Sequence, residues 1–119
     1  MLIFALALAA PTALTDTHQR DIACVVEIAI MADEQRRGAP HDADLAANGK
    51  RWAGLVGARI VQQTGQPREL IAFAMMEAAK ARAGQITVND KSSCVWQMTG
   101  ELAAAAATNA PLPKPVKAQ

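Results

Sequence analysis

Residues 16–37, DTHQRDIACVVEIAIMADEQRR, decide the fold. Ile22, Val25, Val26 and Ala29 recur at helical spacing, and Cys24, Ile28 and Met31 widen the same stripe. Asp16 or Thr17 supplies an N-cap, and Gly38 and Pro40 stop the pattern after Arg37. This is a long amphipathic helix.

The same pattern returns three times. A second helix starts at Asp42 or Asp44, carries Leu45, Trp52, Leu55, Val56 and Ile60, and stops at Thr64-Gly65. A third begins after Pro67, carries Leu70, Ile71, Phe73, Ala74, Met75 and Ala78, and closes at Gly84. Ile86-Thr87-Val88 is an extended connector. A fourth helix opens at Asn89 or Asp90 and runs through Cys94, Val95, Met98 and Leu102 into Ala103–Ala107. No stretch alternates with period two. The fold class is therefore all-α, a compact bundle of three to four helices over residues 16–107. From Thr108 three prolines mark residues 108–119 as a disordered, polyproline-like tail.

Ahead of the bundle, residues 1–14 carry no charge. As a helix they would span about 21 Å, short of a bilayer core, so no stable membrane span is expected. An apolar run ending in small residues has the form of a secretory signal over residues 1–15, with cleavage after Ala13 or Thr15. It lacks a basic start, since no Lys or Arg precedes Arg20. The alternative is a cytoplasmic helical regulatory or DNA-binding module in which residues 1–14 form a core helix. A lipid anchor at Cys24 is excluded by the charges crowding in before it.

The chain is 51% apolar, but alanine supplies much of that and only 3% is aromatic. Export would leave a lean core of large side chains. Cys24 and Cys94 then matter, because closing that loop would contribute about 4 kcal/mol in the chain-entropy model. In an exported chain two cysteines pair more often than not; the alternative is two buried free thiols.

Function classes narrow by chemistry. A net charge of +1 gives little attraction for phosphate, so no nucleic-acid partner is expected. The second and third helices have a helix-turn-helix outline, and Lys50, Arg51 and Arg59 could form a basic strip, but the third helix offers Arg68 alone before turning apolar. His18 and His41 stand apart, and helix capping accounts for Asp42 and Asp44, so no metal or other cofactor is expected. No nucleophile, base and orienting acid share a usable spacing, which points away from an enzyme. Glu27 and Glu77 each fall among apolar neighbours. Turned inward, either is a candidate pH-sensitive group, because burial disfavours a charged carboxylate. Gly49, Gly54 and Gly57 interrupt one helix around Trp52. That cluster predicts close packing of a neighbouring helix, or a bend that shapes a binding groove. Met31, Met75, Met76 and Met98 suit gap filling or an adaptable binding surface.

Arg20-Asp-Ile-Ala-Cys24, the Trp52–Arg59 segment and Cys94 together resemble small exported helical proteins of alphaproteobacterial type with no assigned activity. More loosely, residues 17–107 are similar to the periplasmic acid-stress chaperones, small all-helical proteins closed by one disulfide, although the cysteines here are more widely spaced and the tail is richer in proline. The resemblance implies a Cys24–Cys94 bridge. The chain as a whole reads as a periplasmic or secreted protein that binds a protein client or an apolar ligand rather than catalysing a reaction.

Overall fold

The computed structural model describes residues 11–41, 44–82 and 91–109. Four helices account for them: α1 (Asp16–Arg36), α2 (Leu45–Thr64), α3 (Arg68–Arg82) and α4 (Lys91–Asn109). No strand occurs among the described residues. The all-α bundle predicted from spacing is the fold observed.

The helix ends differ in detail from expectation. Thr15, rather than Asp16 or Thr17, caps α1: its hydroxyl accepts the His18 N–H at 3.2 Å, and His18 Nδ1 accepts the Thr15 N–H at 3.0 Å. This is a capping box with histidine in the place usually taken by Glu or Gln. The helix ends at Arg36, one residue early, and Gly38 follows with φ of 113°. Asp44 caps α2 through the Ala47 N–H, and Gly65 closes it in the left-handed conformation (φ 75°) that only glycine enters cheaply. The expected stop at Gly84, the connector at 86–88, the start at Asn89 or Asp90, Asp42, residues 1–10 and the tail from 110 lie outside the described residues. Helix α4 itself runs to Asn109, past the expected domain end at 107.

Residues 11–15 belong structurally to the bundle. The Thr12 N–H donates to the Thr64 carbonyl at 2.8 Å, the Gln66 amide donates to the Thr12 carbonyl at 2.9 Å, and Leu14 packs against the core. A division between residues 15 and 16 would therefore cut at the cap of α1.

Helices α1 and α2 form the hub, each in contact with all three others, whereas α3 and α4 each touch only α1 and α2. The core forms where these surfaces meet. Ile22, Val25, Val26, Ile28 and Met31 enter from α1; Leu45, Trp52, Val56 and Ile60 line one inward stripe of α2; Ile71 comes from α3, Cys94 and Met98 from α4. Cys24 and Cys94 are bridged across α1 and α4, with Cα atoms 5.2 Å apart and 70 positions between them. The predicted stripe of α3 is corrected: Ile71, Ala74, Met75 and Ala78 face the bundle, but Leu70 and Phe73 face solvent. A helix with only two neighbours buries one i, i+3, i+4, i+7 row, and residues 71, 74, 75 and 78 are that row.

Three stability tests follow. Breaking the bridge by reduction should lower unfolding free energy by about 4 kcal/mol, read from urea denaturation with and without a thiol. Gly54→Ala should raise stability by about 0.5–1 kcal/mol, because a Cβ there meets nothing within 4 Å. Gly49→Ala should lower it by about 1 kcal/mol, because its Cβ would lie 2.8 Å from Ile28 Cγ2.

Candidate functional site

The four α2 residues singled out by sequence do not form one site. Gly49 is where α1 comes closest, against Ile28. Trp52 is fully buried and points toward α4. Gly54 is exposed with nothing near it, and Gly57 meets only the tip of Met75, at 3.9 Å from an added Cβ. Close packing therefore explains Gly49 and not Gly54.

Grooves flank this helix on two sides. One of about 630 Å³ runs between α1 and α2, floored by Val25, Ala29, Ala32, Leu45, Gly49 and Ala53 and rimmed by Asp33, Arg36, Asp44 and Lys50. Another, of about 180 Å³, lies between α2 and α3 and is lined by Gly54, Gly57, Ala58, Ile71, Ala72 and Met75. Ala53 borders both. On the outward side of α3, away from this groove, Leu70, Phe73 and Met76 form a row; all three side chains are about half exposed. Met31 and Met98 fill the core, Met75 packs against it, and Met76 does not.

The polar chemistry is internal. Arg59 is not part of a basic strip: it turns inward and bridges Asp21 Oδ2 at 3.1 Å and Glu101 Oε1 at 3.2 Å. Gln97 Nε2 donates to the other oxygens of the same two carboxylates, Asp21 Oδ1 at 3.0 Å and Glu101 Oε2 at 3.1 Å. The Trp52 indole N–H donates to Glu101 Oε1 at 2.8 Å. One knot thus ties α1, α2 and α4. Lys50 and Arg51 remain exposed on α2.

The two glutamates taken as alike part company. Glu27 is 3% exposed and pairs with Arg82, which ties α1 to α3. Glu77 is exposed and pairs with Lys80 one turn along, so it is no buried switch. His18 is buried as well: its Nδ1 accepts from Thr15, which leaves Nε2 as the donor to Gln63 Oε1 at 2.8 Å. Sequence reasoning missed His18 and Asp21, although the Thr15-x-x-His18 spacing of a capping box was there to find.

Glu101 has a displaced titration. Burial pushes its pKa up, but the hydrogen bonds from Trp52 and Gln97 and the charge and hydrogen bond of Arg59 outweigh that, and the net shift is downward from 4.5. Among the described residues no three His, Cys, Asp or Glu lie together as a metal site, and no helix is long and apolar enough to cross a membrane. No protein-family model, curated protein or solved structure matches this chain.

A carboxyl whose folded pKa is depressed stabilises the fold above its unfolded pKa and loses that contribution as pH falls through the folded value. Unfolding free energy should therefore decline below about pH 4.5, and Glu101→Gln should flatten that part of the profile in urea titrations between pH 7 and 3. Arg59→Met, which strands Asp21 and Glu101 together, should cost about 2 kcal/mol at pH 7, a value discounted from fully buried pairs because the groups are partly wet.

Proposed function

We propose that this chain is an exported, disulfide-clamped helical module that captures a protein client or an apolar ligand, without catalysing a reaction. The observation that carries this is the outward face of α3. Leu70, Phe73 and Met76 leave three large apolar side chains half in water, on the side of α3 turned away from the bundle. Three such side chains half exposed amount to on the order of 300 Å², a patch that on a monomer commonly marks an interaction site. A thioether beside an aromatic ring adapts to varied partners.

Supporting export are the uncharged run 1–14 and the Cys24–Cys94 bridge, which belongs to oxidising compartments. An acid-stress version of the same activity draws on Glu101. Its protonation weakens the one polar knot that joins α4 to α1 and α2, and Trp52 lies beneath that knot. Acid would then add buried apolar surface to the face already open on α3. A second class, the cytoplasmic regulatory module, draws on the hydrogen bonds of Thr12 and the packing of Leu14, which treat residues 11–15 as part of the packed domain.

Suppression of aggregation of an unfolding model protein, followed by light scattering from pH 7 to 2, tests the binding activity. The wild-type chain should suppress it, more strongly below pH 4, and Phe73→Asp should weaken suppression about fivefold while leaving the far-UV circular dichroism unchanged. Absence of suppression throughout that range, or suppression indifferent to Phe73→Asp, would sink the proposal.

A further inference from the structure

Helix α4 has an outer face that nothing among the described residues covers. From Ser92 to Thr108 it carries one charged residue, Glu101, and that side chain is turned into the polar knot. The solvent side is left with no charge at all over more than four turns. On it stands Trp96, 80% exposed and the most exposed large apolar side chain described. Gly100 follows one turn later, and a Cβ there would meet nothing within 4 Å. A mid-helix glycine costs helix stability, and no close approach among the described residues accounts for it.

The spacing along this face is regular. Trp96, Gly100, Ala103 and Ala107 fall at intervals of four, three and four, the seam spacing of paired helices. All four are exposed. The seam is also complementary to itself when a second copy is laid antiparallel. With the two-fold axis between Gly100 and Ala103, the large Trp96 meets the small Ala107 at each end, and Gly100 meets Ala103 twice in the middle. Small residues at the centre let two backbones approach closely, and the size match at the ends fills the space that this leaves. The antiparallel arrangement opposes the helix dipoles favourably, and an uncharged face brings no like charges together. Beside the seam, a groove of about 270 Å³ between Met98, Leu102 and Ala103 of α4 and Asn48 and Arg51 of α2 lies open to receive an edge of the indole, with the Arg51 cation at its far wall.

We infer that α4 is a self-association face, on which a second copy of this chain docks antiparallel through Trp96, Gly100, Ala103 and Ala107. The twelve residues from Trp96 to Ala107 span about 17 Å of helix, three turns. That is shorter than a permanent interface needs, so the dimer is weak and forms in the micromolar range. The face is separate from the Leu70–Phe73–Met76 row of α3, which stays open in the dimer.

Sedimentation velocity on the oxidised chain, from about 1 to 500 μM, tests this. The wild-type mass should rise toward twice that of one chain. Trp96→Glu removes the end contact, and Gly100→Glu blocks the centre; each should raise the dissociation constant by about 30-fold or more, the size of an interface hot spot. Gly100→Glu is the discriminating variant: its Cβ enters open space, so the urea midpoint of the monomer should not fall. Phe73→Asp should leave the dimer intact, which keeps this test apart from that of client capture. A wild-type chain that stays monomeric to 500 μM, or a dimer indifferent to both α4 variants, would overturn the inference.

Discussion

The covalent tie between Cys24 and Cys94 is the constraint on which the bundle depends. Helix α4 touches α1 and α2 but not α3, and from α4 only Cys94 and Met98 enter the core fully buried. A helix held by so few large side chains contributes little hydrophobic free energy of its own, so the cost of ordering it is offset elsewhere. The bridge offsets it by narrowing the unfolded ensemble across 70 positions. It also sets the register, because Gln97 and Glu101 then fall opposite Asp21 and Arg59.

Polar cross-ties do the rest of the specification. Glu27 with Arg82 joins α1 to α3, His18 with Gln63 joins α1 to α2, and the Asp21–Arg59–Glu101 knot joins α1, α2 and α4. Each couples positions at least 38 residues apart in the chain. Such pairs add little net stability, since desolvation consumes most of their attraction, yet each is costly to break on one side. A core built largely of aliphatic side chains, with Trp52 its single buried aromatic among the described residues, can slide between packings; pairs with one correct geometry resist that.

Much of the fold was legible because the punctuation was strong. Gly38 and Pro40 after α1, and Gly65 and Pro67 between α2 and α3, separate the helices, and the Leu45, Trp52, Val56, Ile60 row marks one face of α2. What was not legible depended on neighbours rather than on local pattern. Helix α3 is apolar around most of its circumference, so nothing in its residues chooses Ile71 over Phe73; the choice follows from having two neighbours on one side. Glu27 and Glu77 have similar local surroundings and differ only because Arg82 reaches back to the first. Arg59 reads as one of three cations on a helix until α1 brings Asp21 opposite it. Gly49 and Gly54 look equivalent in sequence, and only the position of Ile28 separates them.

The proposed export and the bridge are tested together by intact-mass analysis of the protein from separated cell fractions. If the proposal holds, the chain is extracytoplasmic, has lost its apolar N-terminal run and weighs two hydrogens less than its reduced form. A full-length, fully reduced chain recovered from the cytosol would contradict it.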